Sequence, residues 1–215
     1  MEESPRKEDE IVSIKSAELV QARQSQICRA AEKLFAEKGY HKTTIRDIAK
    51  KSGISVGSLY DYIKNKEDIL FLLGQEFFRH LRTEIVKVLE EKNDVTKELE
   101  GVLETMVRVV DRFQEYVLFT YREGKSLKRE HLVSLLEQDA FFTHTLTGII
   151  RKGMGEGVFK ALEPEIVANL VTIMTHAWAL KRYNLRKFSF YSFQKVLVKL
   201  VLDGLMGNGR NQSET

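Results

Sequence analysis

Between Thr43 and Leu70 the chain reads TTIRDIAKKSGISVGSLYDYIKNKEDIL. Hydroxyls at Thr44, Ser55 and Ser58, phenols at Tyr60 and Tyr62 and an ammonium at Lys66 crowd around one tight break, SGIS. Groups of these kinds hydrogen-bond to phosphate oxygens and base edges, and a lysine also neutralises phosphate charge. Position adds to the chemistry. Thr44 stands where a helix begins, so its hydroxyl joins free backbone N–H groups at the positive end of a helix dipole, and Lys66 opens another helix with the same advantage. Gly57 and Ser58 are small enough to let their helix come close to base edges.

Helices must hold these groups. Ile27, Ala30, Ala31, Leu34 and Phe35 repeat at helical spacing and Gly39 stops the pattern, which predicts an amphipathic helix of about 18 residues. Thr44 and Asp47 have capping-box spacing at the head of a short second helix, whose inner face is Ile45, Ile48 and Ala49 and which Gly53 ends. Ser55 caps a third that buries Leu59 and Ile63, and Asn65 caps a fourth with apolar positions from Ile69 to Val88, long enough to connect two units. Beyond it the spacing predicts one long helix through TKELEGVLETMVRVVDRFQEYVLFTYREG and two shorter ones, REHLVSLLEQ and AFFTHTLTGIIRKGMGEG. One helix opens at Pro164 and a last one covers YSFQKVLVKLVLDGL. GMGEG lacks a preceding strand and reads as helix termination. The fold class is all-α, about nine helices, with no strand-like alternation and no repeat.

Composition narrows the function. At 215 residues and 43% hydrophobic the chain can bury one large core, or one core and a satellite. Its apolar stretches are interrupted short of the roughly 18 residues that span a bilayer, and the start, MEESPRKEDE, is acidic, so a cytoplasmic protein without a membrane partner is expected. The one cysteine, Cys28, reads as a small buried residue. Charge is concentrated: residues 20–66 carry ten Lys/Arg against four Asp/Glu, a net +6, whereas residues 1–19 are acidic and residues 67–215 are neutral. A compact +6 block suits a phosphate-bearing partner, and a solvated helical surface is its blander explanation. None of the five histidines falls in HExxH or at di-iron spacing, so no enzyme, metal or cofactor is expected. His176 reads as a satisfied, partly buried imidazole.

Two helices joined by a short glycine-containing turn form a helix-turn-helix, which lays its second helix in the DNA major groove; a plain helical corner capped by Ser and Thr is the alternative. The run AAEKLFAEKGYHKTTIRDIAKKSGISVGSLYDYIKNKEDIL, residues 30–70, resembles the N-terminal domain of the tetracycline-repressor (TetR) family of bacterial transcription regulators, a match that covers roughly residues 23–72. It carries Gly39–Tyr40, the Thr pair, DIA, the GIS turn, LY and the Lys–Glu of the fourth helix. The resemblance implies phosphate contacts from Thr44, Tyr60 and Lys66, and base contacts from Arg46, Val56, Gly57, Ser58 and Tyr62. Apolar Val56 favours a thymine methyl over a bidentate bond. It further implies three parts: an acidic arm, 1–19, disordered or extending the first helix; a helix-turn-helix DNA-binding domain, 20–66; and a helical effector-binding and dimerisation domain, 67–215.

In the second domain Val167, Leu170, Val171, Met174, Ala177 and Trp178 share one face, and Val196, Leu197, Leu200 and Val201 another; both suit a core. In the resembling family these last two helices form a homodimer interface. An effector pocket is implied too, for which Phe77, Phe78, Met106, Phe113, Phe119, Tyr121, Arg122, Phe141, Phe142 and Trp178 are available, although most aromatics at helical spacing are core. VLFTYREG is similar to regulators of fatty-acid or acyl-CoA metabolism, with Arg122 placed to meet an anionic head. The expected protein is a repressor released from a palindromic double-stranded DNA operator by an acyl-CoA or fatty acid. The rival reading is a helical adaptor that keeps the corner without binding DNA.

Overall fold

A computed structural model of the chain describes residues 7–91, 93–124 and 127–206. Among the described residues it contains ten helices and no strand beyond one isolated antiparallel bridge, Phe159 to Met206. The chain divides into two compact units, Met1–Glu76 and Phe77–Thr215.

The first unit contains α1 (Lys7–Lys38), α2 (Ile45–Ser52), α3 (Val56–Tyr60) and the opening turns of α4 (Lys66–Glu90). Because α1 begins at Lys7, most of the segment ahead of residue 20 continues the first helix; residues 1–6 of that segment lie outside the described residues. Ile27, Ala31, Ile48, Leu59, Ile63, Ile69 and Leu73 are buried together with Cys28. These are the i, i+3, i+4 faces of the pattern, so burial follows periodicity. The unit extends past residue 66 because Ile69, Leu70 and Leu73 of α4 join this core and the Ser25 hydroxyl of α1 donates to the Glu76 carboxylate. α3 is one short turn and a half, and Ile63 is buried just beyond its end.

The second unit holds the rest of α4 with α5 (Val95–Arg112), α6 (Gln114–Glu123), α7 (Arg129–Gly155), α8 (Pro164–Leu180), α9 (Arg182–Leu185) and α10 (Phe190–Leu205). α5 packs on α7, α8 and α10, and α6 and α7 pack on α8. Three features depart from the periodicity. The single helix expected over residues 96–124 breaks at Phe113, whose backbone leaves the helical region (φ −110°, ψ 33°) while its buried ring packs edge-on against Phe77 at 5.8 Å. The two helices expected between residues 130 and 157 are one, α7, since neither Gly nor Pro separates REHLVSLLEQ from AFFTHTL. The four-residue α9 between the last two long helices is additional. Pro164 occupies the first turn of α8, where its missing N–H is harmless. The GMGEG run ends α7: Gly157 adopts φ 72°, and Val158 and Phe159 donate backbone N–H groups to Gly153 O at 2.9 and 3.0 Å.

Candidate nucleic-acid interface and effector cavity

The break between α2 and α3 is built from local chemistry. Thr44 caps α2 with a full capping box: the Asp47 N–H donates to Thr44 Oγ1 at 3.2 Å, and Thr44 N–H donates back to Asp47 Oδ2 at 2.8 Å. Lys38 Nζ lies 2.7 Å from the same carboxylate. That hydrogen bond, and then those from Thr44, hold Asp47 well below the usual carboxylate range. Gly53 closes α2 in the left-handed region (φ 71°), where a Cβ is disfavoured, and the turn runs straight into Ser55. The Ser58 N–H donates to Ser55 Oγ at 3.1 Å, and the two hydroxyls pair at 3.0 Å.

Thr44, Arg46, Ser55, Val56, Gly57, Ser58 and Tyr60 are exposed, and Tyr62 is half-buried. Space around Gly57 is open, with only Ser55 Oγ, at 3.9 Å, within reach of a Cβ placed there. The turn thus offers a small, open surface flanked by Arg46, Tyr60 and a phenol at Tyr62.

Lys66 is used differently. Its ammonium donates to the carbonyls of Tyr40 at 2.9 Å, Thr43 at 3.2 Å and His41 at 3.4 Å, and sits 4.1 Å from the Tyr40 ring centroid. All three N–H donors have partners, so Lys66 clasps the turn between α1 and α2. Replacing Lys66 with Ala is therefore expected to lower the stability of the first unit by about 1–3 kcal/mol, because three carbonyls lose a charged donor. Chemical denaturation followed by circular dichroism checks it. The salt dependence of DNA binding is expected to keep its slope; a slope reduced by about one with unchanged stability would return Lys66 to a phosphate.

In the second unit a cavity of about 260 Å³ is lined by residues of α4, α6, α7 and α8, among them Phe77, Phe78, Tyr116, Tyr121, Asp139 and His176. Phe77, Phe78 and Tyr121 belong to the expected set. Phe113 packs on Phe77, Phe142 stacks on Phe78 at 5.6 Å, and Met106 and Phe119 are core residues, so these four shape the walls from behind. Phe141 is partly exposed beneath the Arg82 guanidinium at 3.9 Å. Trp178 donates from Nε1 to Asp111 Oδ1 at 2.6 Å and packs on Phe193, which makes it a link between α5, α8 and α10. Arg122 is exposed and does not line the cavity.

The periodicity reading missed Tyr116, Asp139 and the cavity position of His176. A signal existed: Leu132, Leu135, Leu136 and Asp139 follow i, i+3, i+4, i+7, which puts a carboxyl on an apolar helix face, but a break placed beside residue 139 hid it. Burial raises Asp139 from its ordinary value, and raises Tyr116 and Tyr121. Burial lowers His176 to about 4, while its Nδ1 lies 2.9 Å from the Tyr121 hydroxyl. His176 protonates more readily in the unfolded chain (6.5) than when folded (about 4), so its contribution to stability is complete above about 6.5 and lost as pH falls to about 4. Asp139 acts with the opposite sign. Thermal unfolding between these pH values is expected to show an acid loss of about 3 kcal/mol that His176→Gln removes.

Of the expected interface residues, Val171, Leu197 and Val201 are buried within their own protomer, where they pack the core of the second unit. Val167 and Met174 are half-buried. Leu170, Val196 and Leu200 are 60%, 57% and 60% exposed, beside Ile166 at 60% and Ile173 at 52%.

A basic helix-turn-helix with an open recognition turn, followed by a helical unit with an apolar-walled cavity, defines the class of small-molecule-responsive transcription regulators. Residues 27–73 match the model for bacterial regulatory proteins of the tetR family, and residues 92–180 match the tetracyclin repressor-like C-terminal domain. The HTH-type transcriptional regulator HbdR of Aromatoleum sp. (strain CIB) is 30% identical over 165 residues, covering 77% of this chain and 72% of that protein. The chain belongs to the TetR family. Its fold is shared by the Bacillus subtilis regulator FadR in complex with stearoyl-CoA (TM-score 0.67, 23% identity, 84% of this chain and 98% of that one). It is shared also by AibR in complex with isovaleryl coenzyme A and operator DNA (TM-score 0.67, 17% identity, 83% and 97%). HbdR and the KstR2 repressors of Rhodococcus jostii and Mycobacterium tuberculosis, also matched, are named transcription regulators. No described helix is long and apolar enough to cross a membrane.

Proposed function

We propose that this regulator acts in the cytoplasm as a homodimeric repressor on a palindromic operator, and that a small acyl or aryl CoA thioester in the cavity of the second unit lowers its affinity for DNA. The observation that carries the reading is the pairing, in one chain, of an open basic recognition turn with an apolar-walled cavity. Arg46, Val56, Gly57, Ser58 and Tyr62 are the base-reading groups in this proposal, with Thr44 and Tyr60 on phosphates. Thr44 keeps its capping role there, contributing the helix start.

Size and charge sharpen the effector. A cavity of about 150 Å³ holds benzene, so about 260 Å³ suits one ring with substituents or a short chain and is too small for a stearoyl chain without rearrangement. Among the described residues no Lys or Arg lines it, so in this reading the anionic nucleotide portion of a thioester stays outside and Arg122 has no part in gripping a head group within. The complexes of FadR with stearoyl-CoA and of AibR with isovaleryl coenzyme A support a thioester class. Release follows by linkage: a ligand that binds the DNA-incompetent arrangement more tightly must weaken operator binding by the same factor.

The test is fluorescence anisotropy of a labelled operator selected with this protein, titrated with acyl-CoAs of increasing chain length. Release by short and medium acyl or single-ring thioesters is expected, with much weaker release by stearoyl-CoA. A panel in which no thioester shifts operator affinity would overturn the effector reading and leave DNA binding standing.

A further inference from the structure

The polar groups of the cavity are not equally occupied. The Tyr121 hydroxyl pairs with His176 Nδ1 at 2.9 Å, and Thr120 donates its hydroxyl to Val117 O at 2.7 Å. Besides the second nitrogen of His176, two groups remain. Asp139 and Tyr116 both line the cavity, and the Asp139 carboxyl and Tyr116 hydroxyl form no hydrogen bond or ion pair among the described residues. They influence each other electrostatically without a direct bond. One is an acceptor and the other a donor, and the surrounding walls are Phe77, Phe78 and leucines of α7. Neither group is among the buried polar atoms left without a partner, so solvent reaches both, and a ligand that fills the cavity must replace that water: one that satisfies both has a large advantage over one that covers them with hydrocarbon.

We propose that the cavity recognises a hydroxyl group on its ligand, which donates to the Asp139 carboxyl and accepts from the Tyr116 hydroxyl, so that the effector is a hydroxylated short-chain or single-ring compound. This rests on the cavity being the effector site. A hydroxyl is the smallest group that donates and accepts at once. An ammonium can donate to both the Asp139 carboxyl and the Tyr116 oxygen, but it leaves the Tyr116 O–H without an acceptor and brings a full charge into the pocket, and a carboxylate meets Asp139 with like charge. Burial points the same way: it raises Asp139 and depresses His176, so the cavity disfavours charge of either sign. A pocket built on a polar pair rejects the ligand that lacks the matching group far more strongly than an apolar pocket rejects a missing methylene.

Calorimetric titration of the full chain with octanoyl-CoA and with its monohydroxylated isomers tests the proposal. At least one hydroxylated isomer is expected to bind about ten- to a hundredfold more tightly than octanoyl-CoA. Asp139→Leu is expected to abolish that preference by weakening only the hydroxylated ligand. Tyr116→Phe, which removes a single oxygen, is expected to reduce it and serves where Asp139→Leu does not fold. Equal binding of all isomers by the unaltered protein, or a preference that survives in both variants, overturns the hydroxyl assignment while the thioester reading stands. If no CoA ester binds, the thioester reading fails instead, and 3-phenylpropanol against propylbenzene then decides: a preference for the alcohol upholds the proposal, and equal binding or none overturns it.

Discussion

A protein carrying Leu170→Glu together with Leu200→Glu is expected to sediment as a monomer, keep its helicity and lose operator affinity by about a hundred- to ten-thousandfold. The two leucines are each 60% exposed, on α8 and α10 respectively, and are neighboured by Ile166, Ile173 and Val196. Large aliphatic side chains grouped at this exposure mark an interface, and the C-terminal helices are the proposed site of dimerisation. A carboxylate pressed into such a contact has no partner and resists desolvation, so association is lost while each protomer keeps its own core. DNA affinity falls because two half-sites no longer bind as one unit. Buried Val171 and Leu197 provide the contrast: Glu at either position is expected to unfold the second unit, seen as lost helicity. A double variant that remains dimeric with normal operator affinity would place the interface elsewhere.

The second large effect is expected at Gly153. A Cβ there would lie 2.2 Å from Phe159 Cδ2 and 2.4 Å from its Cε2, well inside any real contact. Phe159 has little room to yield. Its ring is buried, its N–H and that of Val158 are tied to Gly153 O, and the strand-like bridge to Met206 is continued by Lys160 N–H donating to Leu205 O at 2.8 Å. Gly153→Ala is therefore expected to destabilise the second unit by about 3 kcal/mol, the upper part of the range for overpacking, and to lower the melting temperature by roughly 6–12 °C. Combining it with Phe159→Leu should recover part of the loss, since neighbouring sites that clash are not additive. Additivity of the two losses in thermal unfolding would show that the ring is not what Gly153 accommodates.

Where structure was made locally, the sequence told it. Thr44 with Asp47, Gly53, Ser55 and Asn65 are start and stop signals that act within four residues, and the helix-turn-helix follows from them. Long-range choices were hidden. Lys66 looks like a phosphate ligand from its place at the head of α4, yet its ammonium is held by carbonyls more than twenty residues earlier, a meeting that periodicity does not encode. Phe113 interrupts a helix with no local breaker, because its ring is drawn to Phe77. The broad apolar faces of α8 and α10 likewise do not reveal which leucines turn inward. Val171 and Leu197 serve the protomer core, whereas Leu170 and Leu200, one and three positions away, are left for another surface.

The central claim is that this chain reads a DNA sequence, and selection from a random duplex pool with the full-length protein tests it most directly. The expected product is an inverted repeat whose half-sites lie about one helical turn apart. It should be bound at least about a thousandfold more tightly than a scrambled duplex, with affinity falling steeply and log-linearly with salt. A pool that never converges, together with equal affinity for selected and scrambled duplexes, would contradict the claim and leave a helical protein whose basic turn serves some other partner.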